Sequence, residues 1–281
     1  MNAYGRIERV YVRAPDPDSL GAWRGYGWHA EPDPAAIAGE HDAFVETLRG
    51  LTDDVMIGTA RVDGDPDAVY AYDPTLVTDA GVIPLRMGKE GRRDEPAIVA
   101  EELRAAGFTV LAPLEPPARA EGGDMFFLDE RTLLVGLGYR TNADAAEQLR
   151  VRLAEQSVDV MTFDLPHHHG PAECLHLMSF ISMLDADLAV GYRPMMPVRL
   201  VELLDARGVR LVEVPDEEFA SMGPNVLATA PRVALALDEN PITKTRMEAA
   251  GVEVRTYDGP QISRNGDGGP TCLTRPLVRR K

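Results

Sequence analysis

Residues 67–114 read DAVYAYDPTLVTDAGVIPLRMGKEGRRDEPAIVAEELRAAGFTVLAPL, and this stretch holds every kind of element that the rest of the chain repeats. Apolar runs flank Thr78-Asp79-Ala80-Gly81 and predict a hairpin over residues 67–85. Residues 95–106 bring Ile98, Leu103 and Ala106 to one side of a helix, Gly107 suits its C-terminal end, and residues 108–114 return as a strand. The order recurs three times downstream. A hairpin over 125–137 turning at Asp129-Glu130 leads to a helix over 143–156 and a strand over 158–165. A hairpin over 175–192 turning near Asp185 leads to a helix over 197–206 and a strand over 209–214. A hairpin over 225–237 turning near Ala230-Pro231 leads to a helix over 243–250 and a strand over 252–257. Block spacing of roughly 40–55 residues is that of an array or propeller.

The ends supply a split fifth block. The tail, residues 271–278, is strand-like; the head offers a strand over 6–13, a helix over 35–49 and a strand over 54–58. The expected fold is therefore α/β: five modules around an axis, hairpins inside and helices outside, closed by pairing of the first and last strands. The modules are 271–281 plus 1–60, 67–114, 121–165, 174–214 and 222–258, all within one domain of residues 1–281. An ordinary α+β sandwich is the alternative.

Composition narrows the function. The chain has 281 residues, 44% hydrophobic and 26% charged, enough for a large core. A net charge of −16 argues against nucleic acid and anionic membranes. Solubility is the favoured reading of this charge, with steering of a cationic ligand as the alternative. No apolar run is long enough to span a membrane, and the N-terminus lacks a signal-peptide pattern. The two cysteines, Cys174 and Cys272, fit a reducing cytoplasm rather than a disulfide framework.

Polar residues interrupt the apolar runs at matching places in the blocks: Asp73, Glu121-Gly122-Gly123-Asp124, His176 and Cys272. Equivalent positions around an axis converge. Singly, each has a plainer reading: a satisfied core His or Cys, or a turn Asp before Pro74. Their shared position favours one pocket. His167-His168-His169 point in different directions on a strand or loop, and no further cluster has ligand spacing, so no metal is expected.

These elements resemble the dimethylarginine dimethylaminohydrolases, within the wider guanidine-modifying superfamily of arginine deiminases and amidinotransferases. The resemblance covers nearly the whole chain. It rests on residues 67–73 (DAVYAYD), on Glu121-Gly122-Gly123-Asp124, on Arg140-Thr141-Asn142, on His176-Leu177-Met178-Ser179-Phe180, and on Thr271-Cys272 with Asp267 upstream. It implies a five-bladed α/β propeller, the pentein fold, and a hydrolase acting on linear amidines without a cofactor. Cys272 is then the nucleophile, His176 its acid/base partner, and Glu121 the catalytic carboxylate pairing with Asp73 about the guanidinium. Arg92 and Arg140 fall where the family binds a substrate carboxylate; Asp67, Asp124 and Asp267 complete the pocket. Two positions depart. The dimethylarginine enzymes usually carry Glu where this chain has Tyr72, and Lys where it has Met178. Both are expected beside the substrate.

The implied ligand is a small guanidino compound, an amino acid by its arginine clamp, with no nucleic acid or membrane partner; a homodimer is compatible. The long segment 15–34, with Trp23, Tyr26 and Trp28, suits a lid. Cys174 is a weaker rival nucleophile. The rival functions are an amidinotransferase, passing the amidino group to an amine, and a non-catalytic binding protein on the same fold.

Overall fold

A strand that runs parallel to its neighbour needs a crossover, and each predicted helix supplies one. The structure, a computed structural model, describes every residue except 172, 174 and 281. The rival thiol Cys174 therefore lies outside the described residues. The first unit contains β1 (Ile7–Arg13), a short helix α1 (Trp23–Tyr26), α2 (Pro34–Arg49) and β2 (Asp54–Gly58). Next come β3 (Thr75–Thr78), β4 (Gly81–Pro84) and α3 (Glu95–Ala105). The third unit is β5 (Met125–Asp129), β6 (Thr132–Leu137), α4 (Ala143–Leu153) and β7 (Asp159–Asp164). The fourth is β8 (Ile181–Asp185), β9 (Leu188–Gly191), α5 (Val198–Ala206) and β10 (Arg210–Glu213). The last complete unit is β11 (Leu227–Ala230), β12 (Val233–Leu237), α6 (Pro241–Ala249) and β13 (Glu253–Tyr257), and β14 (Arg275–Arg279) ends the chain.

Among the described residues the strands form five small sheets. In the third to fifth units a hairpin is antiparallel, and the strand after the helix joins it in parallel: β6 with β7, β9 with β10, β12 with β13. The split unit copies this. β14 pairs antiparallel with β1, Val10 opposite Pro276, and β1 pairs parallel with β2, Val10 opposite Val55.

The second unit differs from expectation. Residues 108–114 form no strand; only the bridge Val82–Val110 forms. Val82 N donates to Thr109 O and Leu111 N to Val82 O, which begins a parallel ladder. The next two donors along it would be residues 84 and 113. Both are prolines and have no N–H, so the ladder stops.

Buried apolar clusters lie between consecutive units. One joins Tyr11 and Leu277 to Val77, Val82 and Leu103. Others join Leu76 and Ile83 to Met125 and Leu133, Phe126 and Leu134 to Phe180 and Leu200, and Leu188 and Val190 to Ala234 and Met247. The last joins Leu235 and Leu237 to Val12, Ile37 and Phe44 of the first unit. Asp33 caps α2 by accepting from Ala35 N and Ala36 N, with Pro34 at the first helical position. Among the described residues no helix is long and apolar enough to cross a membrane.

Candidate active site

Asp73, Glu121, His176 and Cys272 each lie in the segment leading into the first strand of a hairpin or of the split unit: ahead of β3, β5, β8 and β14. Those entries converge. The ligating atoms of Asp73, Glu121 and His176 all lie within 4.8 Å of one another. Gly122-Gly123 allow this approach. Gly123 N donates to Asp73 Oδ1 at 2.8 Å, and a Cβ on Gly123 would stand 2.8 Å from His176 Nδ1. A side chain there would displace the imidazole.

Glu121 is buried and holds three groups. Its Oε2 meets His176 Nε2 at 2.8 Å, its Oε1 accepts from Lys89 N at 2.8 Å, and Arg140 Nη1 lies 3.1 Å from Oε2. His176 is anchored by its own backbone, since His176 N donates to Ser179 Oγ. It caps a single helical turn, residues 177–179, rather than sitting within a strand as expected. Asp124 accepts from Leu177 N at 3.2 Å and supports that turn from below.

The electrostatics follow from burial and these partners. Burial alone would lower the His176 pKa, but the carboxylates of Asp124, Asp73 and Glu121 outweigh it and raise it to about 9. Burial pushes Glu121 upward, yet His176 and Arg140 hold it well below the usual carboxylate range. Burial likewise works against Asp73, and Arg92 and His176 reverse it, so Asp73 is lowered. Asp124, mainly through burial, rises to about 6. At neutral pH the cluster is an imidazolium facing ionised carboxylates.

Cys272 is held from the fifth hairpin. Asn225 Nδ2 donates to Cys272 Sγ at 3.2 Å, and Asn225 Oδ1 accepts from Thr271 N at 3.1 Å. Burial, then the nearby Asp73, pushes the thiol up to about 11, with Asn225 opposing. Without a cation beside it the sulfur is a thiol at neutral pH. Alkylation of Cys272 by iodoacetamide, followed by peptide mass mapping, is therefore expected to speed up about tenfold per pH unit from pH 7 to 10. A rate that levels off below pH 8 would mean the free protein already holds a thiolate.

The remaining expected residues divide. Asp67 lies against segment 15–34: Trp28 Nε1 donates to Oδ1 at 2.8 Å, and Lys89 Nζ to Oδ2 at 2.6 Å and to Tyr26 O at 2.7 Å. Segment 15–34 is thus packed onto this end of the site. Asp267 is exposed and meets His29 Nε2 at 2.9 Å. Arg92 is placed differently from an open clamp. It is 3% exposed and binds Asp73 at 2.7 Å, both oxygens of Glu95, and Tyr70 O, so it fixes Asp73 instead. Tyr72 and Met178, expected beside the substrate, pack into the core. Both are buried in the apolar cluster with Phe126 and Phe180, and the Arg275 guanidinium covers the Tyr72 ring at 3.6 Å. The histidines 167–169 stay outside; His167 Nδ1 pairs with Tyr139 Oη at 2.6 Å.

Asn225, Lys89 and Glu95 were not foreseen. Asn225 had a usable signal: it leads into β11 as Asp73 leads into β3. Glu95 had none, because an acidic residue in a first helical turn is ordinary on a surface.

The family model described as arginine deiminase matches residues 58–206 and 197–279. The chain belongs to the arginine deiminase family. It is 26% identical over 264 residues to the arginine deiminase of Latilactobacillus sakei, covering 78% of this chain and 63% of that protein. It thus spans under two thirds of the length of that curated relative. It is 27% identical over 247 residues to the N(G),N(G)-dimethylarginine dimethylaminohydrolase of Pseudomonas aeruginosa, covering 87% of this chain and 89% of that one. Among solved structures, the Pseudomonas aeruginosa enzyme, as a cysteine-to-serine variant with citrulline, superposes with a TM-score of 0.80 at 22% identity over 96% of this chain and 98% of that one. The N-terminal domain of ArgZ, a cyanobacterial arginine dihydrolase, gives 0.83 at 19% identity over 98% of both chains. The fold is that of these proteins, the α/β pentein fold.

Proposed function

We propose that the protein is a hydrolase that attacks the guanidinium carbon of an arginine-like amino acid through Cys272. The observation that carries this is the convergence of Asp73, Glu121 and His176 within 4.8 Å at equivalent entries of the repeated unit. A planar, permanently charged guanidinium needs carboxylates to be buried, and Asp73 with Glu121 offers them. The bound cation adds positive charge beside a sulfur that burial and Asp73 keep protonated, and so favours the thiolate.

Binding of the cation releases the Cys272 thiol proton to solvent, the resulting thiolate adds to the guanidinium carbon, and the C–N bond to the leaving nitrogen breaks. His176, protonated well above neutral pH, gives that nitrogen its proton. This leaves a thiouronium on Cys272 and a neutral imidazole. The imidazole takes a proton from water, the hydroxide adds to the same carbon, and the C–S bond breaks. A ureido product and ammonia or an alkylamine result, and Glu121 keeps the imidazole aimed throughout. One curated relative described above is named a dimethylaminohydrolase, which supports water over an amine as acceptor.

In this reading residues 1–281 work as one catalytic unit of five modules closed into a ring. Two observations support closure: the β14–β1 pairing, and the apolar cluster between the fifth unit and α2. Ring closure explains why Cys272, near the end of the chain, can face Asp73.

The test is incubation with arginine, methylated arginines and guanidino acids, measuring ureido product and ammonia together. One ammonia per ureido product marks a single hydrolysis. Absence of both products with every compound contradicts the reading. The substrate carboxylate has a partner in Arg140, which is partly exposed beside Glu121. Arg140→Ala is expected to raise KM at least about 30-fold for a carboxylate-bearing guanidine and under about threefold for a simple alkylguanidine. Equal effects on both would assign Arg140 only to orienting Glu121.

A further inference from the structure

Asp73, Glu121, His176 and Cys272 stand ahead of β3, β5, β8 and β14, and each has a chemical task; Asn225 stands ahead of β11, the remaining hairpin. Its side chain meets the reacting atom itself. Asn225 Nδ2 donates to Cys272 Sγ at 3.2 Å. The amide has one orientation, because Oδ1 accepts at 3.1 Å from Thr271 N, and a backbone N–H only donates. Asn225 is 7% exposed and its backbone is fixed on both sides. Its N donates to Met222 O at 2.9 Å, Val226 N donates to Ser182 Oγ at 3.2 Å, and Ser182 Oγ donates to Pro224 O at 2.7 Å. Glycine clears its place: a Cβ on Gly269 would stand 2.6 Å from Asn225 Cγ and Oδ1. Cys272 is held from the second unit as well, where Tyr72 N donates to Cys272 O at 3.1 Å.

We infer that Asn225 is a further catalytic residue, whose Nδ2–H stabilises the negative charge on the Cys272 sulfur each time a thiolate forms. This rests on the reading of Cys272 as nucleophile. The charge arises twice. It arises when the thiol loses its proton to solvent before attack, and again when the C–S bond of the thiouronium breaks and its electron pair returns to sulfur. A hydrogen bond to a charged acceptor is stronger than one to a neutral acceptor, so a donor already in place favours the thiolate over the thiol at both moments. Burial and Asp73 hold the thiol protonated, and Asn225, ahead of the Gly269 backbone, opposes them. The neutrality of the donor matters. A lysine or arginine at this entry would favour the thiolate more strongly, but its charge would repel the guanidinium that Asp73 and Glu121 gather. An amide does the first without the second.

The test is the rate at which iodoacetamide alkylates Cys272 in the whole protein between pH 7 and 9, followed by peptide mass mapping. Cys272 is partly exposed, so the reagent reaches it. Asn225→Leu fills the volume without a donor, and Asn225→Ala removes the donor without crowding a neighbour. Each is expected to slow alkylation about three- to tenfold at every pH, the lost thiolate fraction being offset in part by a more basic sulfur. Asn225→Asp keeps the shape and the bond from Thr271 N but turns an oxygen toward the sulfur, and should slow it at least as much. With guanidino substrates, kcat/KM in Asn225→Ala should fall about tenfold or more, alike for carboxylate-bearing and simple alkylguanidines, unlike Arg140→Ala. Alkylation at the parent's rate or faster in Asn225→Leu or Asn225→Ala, whichever keeps the parent's circular dichroism, overturns the proposal. So does a parent-like rate in Asn225→Asp, which would limit Asn225 to holding Thr271. Alkylation needs no substrate, so it decides the role of Asn225 at the sulfur even if no guanidine is turned over, the result that would instead contradict the hydrolase reading.

Discussion

Replacing Cys272 by serine is expected to lower turnover by roughly 10⁴-fold or more while leaving the far-ultraviolet circular dichroism and thermal midpoint nearly unchanged. The two side chains differ by one atom, and Asn225 Nδ2, 3.2 Å from the sulfur, can donate to a hydroxyl oxygen equally well. Packing is thus preserved. Chemistry is not. Burial already holds the thiol at about 11, and a nearby guanidinium can bring it within reach of neutral pH. A serine hydroxyl starts several units higher, and the same cation cannot close that gap. His176 does not rescue it, because at neutral pH it is already protonated and cannot act as the first base. The variant should still bind substrate, since Asp73, Glu121 and Arg140 are untouched. Activity above about a hundredth of the parent's would point to another nucleophile.

Deleting residues 275–281, which carry β14 (Arg275–Arg279), is expected to abolish cooperative folding even though Cys272 remains. The strand pairs along β1 from Tyr11–Arg275 to Ile7–Arg279. Leu277 is buried with Tyr11, Val82 and Leu103, where the first and second units meet. Removal exposes the edge of β1 and opens that cluster. Together these cost at least about 5 kcal/mol, comparable with the whole stability of a typical domain. Urea denaturation followed by tryptophan fluorescence checks this. A truncated protein that unfolds with an unchanged midpoint and slope would show that β14 is a dispensable tail.

Much of the architecture was legible because the same unit is written repeatedly. The hairpin turns at Asp129-Glu130, Asp185 and Ala230-Pro231 fall where β5–β6, β8–β9 and β11–β12 turn. Residues 108–114 misled for a local reason. Their apolar pattern is that of a strand, but ladder formation depends on N–H groups, and Pro84 and Pro113 have none. The site was legible to the extent that one block position recurs: Asp73, Glu121, His176 and Cys272 all occupy it. What was not legible is which way neighbouring side chains point. Tyr72 precedes Asp73 and faces the opposite side, into the cluster with Phe180. Arg92 has the charge expected of a carboxylate clamp, but Glu95, one helical turn on, claims its guanidinium. That partner lies three residues away, yet nothing in its type distinguishes it from an exposed helix acid.

The central claim is a covalent bond between Cys272 and the guanidinium carbon, and mass spectrometry of an acid-quenched reaction tests it most directly. With a turned-over guanidino substrate at saturation, the peptide containing Cys272 should gain the mass of the substrate less its departing amine. The same peptide from Cys272→Ser should gain nothing. An adduct on the peptide containing Cys174, or steady ureido product with no cysteine adduct at any quench time, would contradict the account.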